Sequence, residues 1–170
     1  MQHLKQWISS LLVLASFNFL ASCSHIAKKY DVKFPEQAVL VTTNPKPGDV
    51  SEWYVYKPFH AYINNKEIIV PDGMITDLSS VPVWFQGIPG FTNDAPYVLR
   101  PSLIHDWLYT YQGQVYYSDG APFFISKDDA DHILVDGMRA LGATQTQIDA
   151  FYWAVHKFGQ GKWDAHRVPH

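Results

Sequence analysis

The fold class is decided by residues 126–159, which read SKDDADHILVDGMRALGATQTQIDAFYWAVHKFG. Apolar residues recur in both halves at helical spacing. Ser126 and Thr144 each stand where a helix N-cap belongs, and each is followed three residues later by an Asp or a Gln, which completes a capping-box pattern. Gly142 and Gly159 follow the last apolar residue of each half, where a helix can end. The stretch therefore predicts two consecutive amphipathic helices.

The segments before these helices have a different pattern. Residues 53–70, WYVYKPFHAYINNKEIIV, are rich in aromatic and branched side chains, and Asn64-Asn65 stands where a hairpin turn would lie. Another helical pattern begins near Ser102, directly after a proline. Residues 113–124, GQVYYSDGAPFF, predict a small β excursion between the first two helices.

Strands followed by about three helices predict an α+β fold, with an antiparallel β region in the N-terminal half. The length of 170 residues suits a single domain. We place the globular domain at residues 51–160 and expect a polar, loosely ordered tail at residues 161–170.

The N-terminus has the features of an export signal. Residues 7–21, WISSLLVLASFNFLA, form an apolar run that is too short to span a bilayer comfortably. The run ends in Leu-Ala-Ser-Cys at residues 20–23, which resembles the lipobox of bacterial lipoproteins. We therefore expect a signal peptide at residues 1–22, lipidation of Cys23, and a lipid-anchored tether with a first extended segment at residues 23–50.

The same features bound the location and the partners of the protein. Cys23 is the only cysteine, so a disulfide within the domain is impossible. By resemblance to Gram-negative lipoproteins, Ser24 after the lipidated cysteine favours the outer membrane, with the domain facing the periplasm. The net charge is -3 and the chain has no basic block, so nucleic-acid binding has no electrostatic support.

A candidate site lies in the predicted first helix, where His105 and Asp106 interrupt an apolar and aromatic run, SLIHDWLYTYQG. Burying charged groups is costly unless they are paired. Tyr109, four residues after His105, shares its helical face. Asp131 borders the apolar stripe of the second helix and can reach His105 if the two helices pack antiparallel. A carboxylate on one imidazole nitrogen makes the other a stronger base, so the pattern predicts a general base.

Four segments resemble, in order, the bacterial and phage family catalogued as domain of unknown function 1353. They span residues 73–159 and read GMITDLSSVPVWF, LRPSLIHDWLY, SKDDADHILVDGMRALG and FYWAVHKFG. The resemblance implies a shared fold and a shared site around Asp77, His105, Asp106 and Asp131. It implies no activity.

A shorter segment, HDWLY at residues 105–109, resembles the His-Asp helix of secreted phospholipases A2. That resemblance implies that His105 activates water, that Asp106 binds calcium, and that Tyr109 and Asp131 orient the histidine. The chain departs from those enzymes in two ways. It has no cysteine beside the histidine, and residues 76–90 are not dense in glycine as a calcium loop is.

Two functions remain open from these residues. In the first, the protein hydrolyses an ester or amide in the cell envelope, with His105 as the base. Asp106 and Asp77 would then position the substrate or hold a divalent cation. Calcium suits these carboxylates better than zinc, because the chain has no H-E-x-x-H pattern and no cysteine in the domain.

In the second, His105 is a structural histidine, and the protein is a non-catalytic envelope lipoprotein, of phage origin or otherwise. Such a protein would bind an envelope lipid or peptidoglycan through exposed aromatic side chains. The candidates for that patch are Trp53, Trp84, Phe85 and Trp107.

Overall fold

Short strands precede and separate the helices in the computed structural model, which describes residues 25–42, 53–78 and 95–165. The strands are β1 (Val32–Lys33), β2 (Leu40–Thr42), β3 (Trp53–Val55), β4 (Phe59–Ile63), β5 (Lys66–Val70), β6 (Ile75–Thr76), β7 (Gln114–Tyr116) and β8 (Pro122–Phe124). The helices are α1 (Leu99–Thr110), α2 (Lys127–Ala140), α3 (Gln145–Phe158) and α4 (Gln160–Ala165). This order confirms the predicted α+β class, with one short helix more than we predicted.

The strands form two three-stranded antiparallel sheets, ordered β1-β4-β5 and β2-β3-β6, and the hairpin β7–β8. Asn64 and Asn65 have φ values of 52° and 65°, which is the geometry of a tight hairpin turn, so the turn predicted between β4 and β5 is confirmed. Along β4 the side chains of Phe59, Ala61 and Ile63 are buried in alternation with half-buried neighbours. This alternation turns one face of the sheet toward the core.

The helices pack in sequence, α1 against α2 and α2 against α3. The capping boxes at Ser126 and Thr144 are both formed as predicted. Leu134 and Met138 of α2 are fully buried in the cluster shared with α3, and burial of one such side chain is worth about 1.5–3 kcal/mol. Packing of α1 against α2 brings the predicted site residues of the two helices together.

The start of α1 differs from the expected one. The helix begins at Leu99, after Val98, and not near Ser102. Pro101 therefore lies in the first turn, where the backbone N–H that proline lacks has no partner within the helix. We expected Pro101 to be the residue that precedes the helix. It is the third residue of the helix instead.

The segment expected to form a tether is held against the helices where the structure describes it. The carboxylate of Asp136 accepts hydrogen bonds from the backbone N–H groups of Lys29, at 2.8 Å, and Tyr30, at 2.7 Å. The carboxylate of Asp149 accepts one from the N–H of Ile26 at 2.9 Å. Each of these carboxylates therefore ties the N-terminal segment to a helix, α2 in the case of Asp136 and α3 in the case of Asp149.

Residues 161–165, which we expected in a loosely ordered tail, form all but the first residue of α4, and this helix packs on α1 and α3. None of the described helices has the length and the apolar character needed to cross a membrane. The predicted signal peptide and Cys23 lie outside the described residues, as do Trp84 and Phe85.

Candidate functional site

The predicted contact between His105 of α1 and Asp131 of α2 is present in the structure. Nε2 of His105 lies 3.1 Å from Oδ1 of Asp131. The hydroxyl of Tyr109 donates a hydrogen bond of 2.7 Å to the same oxygen. His105 is 2% exposed and Asp131 is fully buried. The three side chains thus form one buried, hydrogen-bonded group.

Lys127, which the sequence analysis did not single out, completes this group. Its ammonium donates a hydrogen bond of 2.7 Å to Oδ2 of Asp131 and reaches the carbonyl oxygens of Val155 at 3.1 Å and His156 at 3.2 Å. The ammonium therefore bridges the Asp131 carboxylate and the C-terminal end of α3, where the helix dipole favours a cation. The separation of four residues between Lys127 and Asp131 was the one signal in the sequence.

The buried charges shift the ionisation of the group. Burial alone would lower the pKa of His105, but the carboxylates of Asp106 and Asp131 outweigh it and raise that pKa. Burial alone would raise the pKa of Asp131, but hydrogen bonds and charge from His105, Lys127 and Tyr109 hold it below its ordinary value. Burial and the Asp131 charge raise the pKa of Tyr109. The phenol therefore stays protonated and remains a donor.

These shifts predict how the pair contributes to stability with pH. The lowered pKa of Asp131 adds stability that is complete above its unfolded value of 3.8 and is lost as the pH falls. The raised pKa of His105 adds stability that is complete below its unfolded value of 6.5 and is lost as the pH rises through the folded value. We expect the difference in melting temperature between the wild type and His105→Gln to be largest between these two values. A difference that does not change with pH would contradict the ionised pair.

The second ring nitrogen of His105 faces the other carboxylate of α1. Nδ1 is buried and makes no hydrogen bond within the described part of the chain. Oδ1 of Asp106 is 3.9 Å away, too far for a hydrogen bond. The Asp106 side chain is 15% exposed, against 3% for the His105 side chain. Asp106 is therefore the less deeply buried of these two side chains.

Asp106 is held by β6. The hydroxyl of Thr76 donates a short hydrogen bond to Oδ2 of Asp106, and the same hydroxyl accepts one of 3.0 Å from the backbone N–H of Leu78. These two bonds orient the Asp106 carboxylate beside the ring of His105. Thr76, unlike Lys127, carried no signal in the sequence, because its role depends on the packing of a strand against α1.

Asp77, the other predicted metal ligand, forms an ion pair of 3.1 Å with Lys162 of α4. Among residues 25–42, 53–78 and 95–165, no three His, Cys, Asp or Glu side chains come together as a metal site. The described donors therefore do not by themselves form a calcium site. The calcium prediction stays a prediction, which a calcium titration of the melting temperature of the wild type and Asp106→Asn would test.

Ser102 carries a second buried polar group on α1, one turn before His105. Its hydroxyl is buried and makes no hydrogen bond in the described residues. The ring of His105 is therefore not placed to take a proton from it, as the base of a serine hydrolase would be. This geometry favours water over Ser102 as the nucleophile.

The aromatic side chains proposed for a binding patch do not share one surface where they are described. Trp107 is 5% exposed and belongs to the core, with its ring edge-on to Tyr111. Trp53 is half-buried against the same core. Trp107 therefore serves packing and not an exposed patch.

The short helix α4 covers the Tyr109 side of the site. The ring of Trp163 meets that of Tyr109 edge-on, with centroids 5.1 Å apart. The side-chain amide of Gln112 donates a hydrogen bond of 3.0 Å to the carbonyl of Trp163. Gly159, at the junction of α3 and α4, leaves room for this packing, because a Cβ there would lie 2.5 Å from the Tyr109 hydroxyl and against the carbonyl of Val155.

Gly159→Ala tests this close approach. The backbone at Gly159 has a φ of -76°, which any residue adopts, so the cost comes from the contact alone. We expect a loss of about 1–3 kcal/mol in the free energy of unfolding, measured by urea denaturation. Gly161→Ala is the matched control, because a Cβ there meets nothing. Equal stability of the two variants would contradict the packing described at Tyr109.

The arrangement can hold one proton and move another. With Nε2–H fixed on Asp131, the neutral ring presents the lone pair of Nδ1 toward Asp106, and an imidazolium formed by proton uptake is stabilised by both carboxylates. An oriented ring and a stabilised imidazolium are two of the requirements for a general base, and the third is a proton donor within reach of Nδ1.

Comparison with known proteins gives one match. A family model described as a protein of unknown function (DUF1353) matches residues 53–155, which is more than half of the chain. The match contains β3 to β8, α1, α2 and most of α3, and therefore the whole His105–Asp131 group. No curated protein and no solved structure shows significant similarity to the chain.

Proposed function

We propose that this chain, which belongs to the DUF1353 family of proteins of unknown function, is a hydrolase of the cell envelope in which His105 activates a water molecule. The observation that carries the proposal is the asymmetry of the His105 ring. Nε2 is fixed on Asp131, whereas Nδ1 is buried, makes no hydrogen bond to any residue that the structure describes, and lies beside the partly exposed Asp106. A buried nitrogen without a hydrogen bond is uncommon in folded proteins, and a catalytic role is one explanation for it.

The reaction follows from that asymmetry. Nδ1 takes a proton from water as the water oxygen forms a bond to the carbonyl carbon of an ester or amide, and the π electrons of the carbonyl move to its oxygen. When this intermediate collapses, the bond to the leaving group breaks, and the leaving oxygen or nitrogen takes the proton back from Nδ1. Asp131 stabilises the imidazolium between these two steps. Tyr109 and Lys127 are positioning residues, because both act through Asp131.

The location we propose is the outer membrane, with the domain in the periplasm and Cys23 carrying the lipid. The support is the apolar run at residues 7–21, the Leu-Ala-Ser-Cys sequence that ends at Cys23, and Ser24 after it. The substrates within reach of such a protein are envelope lipids and peptidoglycan. The mass of the N-terminal peptide tests the anchor, because a lipidated Cys23 differs from an unmodified one by the mass of its acyl chains.

A second candidate function is a non-catalytic envelope lipoprotein, in which the buried group only holds α1, α2 and α3 together. One observation favours it: Lys127 already neutralises Asp131 at 2.7 Å, so the group is complete without a substrate. The two functions predict different results for a variant that loses the base and keeps the fold. Such a variant loses turnover if the protein is a hydrolase, whereas a non-catalytic protein has no turnover to lose.

The experiment is a turnover screen of the full-length protein in vesicles of phosphatidylethanolamine and phosphatidylglycerol. Phospholipids and peptidoglycan fragments are offered, and products are identified by mass spectrometry. A hydrolysed ester or amide that is absent with His105→Gln supports the hydrolase. No product from the wild type with either class, or the same product from both proteins, contradicts it and leaves the non-catalytic function.

A further inference from the structure

The outer face of the sheet β2-β3-β6 is apolar and exposed. In the register of this sheet, Val41 lies opposite Tyr54, and Tyr54 lies opposite Ile75. One step along, the N–H of Tyr56 bonds the carbonyl of Val39 at 2.9 Å. Directly opposed residues, and residues two apart on one strand, point to the same side of a sheet. The five side chains thus form two adjoining rows on one surface, which we call the β2-β3-β6 face.

The side chains of this face are apolar or aromatic, yet most of them are exposed. Val39 and Val41 are each 44% exposed, Ile75 is 58% exposed and Tyr56 is 59% exposed, whereas Tyr54 is half-buried between them. The face contains no charged side chain among these five. A contiguous apolar patch on a folded domain indicates a surface that meets something other than water.

We propose that the β2-β3-β6 face docks on the surface of a lipid bilayer. The proposal rests on the lipid anchor proposed at Cys23, which stands two residues before His25, the first described residue. The carboxylate of Asp149 on α3 lies 2.8 Å from Nδ1 of His25. Two residues span at most about 7 Å, so the anchor would keep the domain against the membrane.

The size and chemistry of the face favour a lipid surface over a second copy of the chain. A stable protein interface uses about 20–30 residues on each side, and this face offers five. Shallow insertion of a few apolar side chains needs no such area when a lipid anchor supplies the rest of the affinity. The two tyrosines also suit a membrane boundary, because each has an apolar ring and a polar tip.

Docking at this face would leave the sheet β2-β3-β6 between the bilayer and Asp106 of the candidate site. Ile75 and Thr76 are neighbours on β6 and point to opposite sides of the sheet. Ile75 is exposed on the face, whereas Thr76 is buried and its hydroxyl donates a hydrogen bond to Asp106.

The test is photocrosslinking of the full-length protein in phosphatidylethanolamine–phosphatidylglycerol vesicles that contain a phospholipid with a diazirine in one acyl chain. Peptide mass spectrometry after illumination locates the adducts. We expect adducts at Val41, Tyr54, Tyr56 or Ile75, and about a tenfold fall in their yield in the double variant Val41→Asp/Ile75→Asp. Both positions are exposed, so the melting temperature of the variant should stay close to that of the wild type.

The matched control is a second exposed apolar pair, Tyr116 and Phe124, on the hairpin β7–β8. The two residues are 58% and 62% exposed, and their rings are in edge-on contact with centroids 5.7 Å apart. Tyr116→Asp/Phe124→Asp should leave the adducts on the β2-β3-β6 face unchanged. Adducts absent from the face, or adducts lost equally in both double variants, would overturn the proposal.

Two further readouts separate this proposal from the proposed function. Adduct formation does not depend on turnover, so an inactive protein that is crosslinked at the face retains the docking surface and loses only the hydrolase. The mass of the Cys23 peptide from the same sample reports the anchor. Lipidated Cys23 without adducts at the face overturns the docking surface and leaves the anchor in place.

Discussion

His105→Gln should lower kcat/KM for the substrate found in the screen by about 10²–10⁴-fold, the usual contribution of a general base. The reason is chemical and not structural. A glutamine amide can donate to Asp131 in place of Nε2–H, but it has no basic lone pair at the position of Nδ1. The loss should appear in kcat as well as in kcat/KM, because proton transfer occurs only in the transition state.

Tyr109→Phe provides the matched control for this loss. It removes one hydrogen bond of 2.7 Å to Asp131 and leaves the base and its carboxylate in place. We expect it to cost about tenfold in kcat/KM, since a hydrogen bond to a charged group is worth about 1.5–3 kcal/mol and only the part that is stronger in the transition state affects the rate. If His105→Gln retains turnover, or if Tyr109→Phe loses as much as His105→Gln does, His105 is not the base.

The largest effect on stability is expected from Asp131→Ala, at about 3–5 kcal/mol in the free energy of unfolding. The carboxylate accepts hydrogen bonds from His105, Tyr109 and Lys127, and its removal leaves all three donors without it. Lys127 matters most, because its side chain is only 11% exposed and its ammonium would lose its counter-ion. Urea denaturation, followed by circular dichroism, measures the change.

The double variant Lys127→Met/Asp131→Leu separates loss of the pair from loss of packing. It removes both charges and keeps apolar volume in their place, and buried ion pairs replaced in this way often cost little. We expect the double variant to be more stable than Asp131→Ala and to have no hydrolase activity. A double variant that is no more stable than the single one would show that the ion pair does not account for the cost.

The parts that could be predicted from the sequence rest on local rules. Three of these parts depend only on residues within four positions of each other, and all three are formed. They are the capping boxes at Ser126 and Thr144 and the turn at Asn64-Asn65. The contact of His105 with Asp131 needed one further assumption, that the first two helices pack with these faces together. Helical periodicity made that assumption reasonable, since it set the apolar face of α2.

The rest depends on contacts between distant segments. Lys127 acts on the carbonyls of α3, and Trp163 packs on Tyr109 from a segment that looks polar and tail-like in the sequence. The apolar β2-β3-β6 face exists only through the register of three short strands. Neither polarity nor periodicity encodes such pairings, because each short strand carries too few residues to set a pattern.

The central claim, that the buried His105 is a reactive base and not a sealed structural element, is tested most directly by carbethoxylation of the folded protein with diethyl pyrocarbonate. The reagent attacks unprotonated imidazole nitrogens, and peptide mass spectrometry and residual hydrolysis are measured on the same samples. We predict that His105 is modified in the folded protein and that hydrolysis is lost at the same rate. If His105 stays unmodified until the protein unfolds, or is modified without loss of hydrolysis, the ring is a sealed structural element and the account is contradicted.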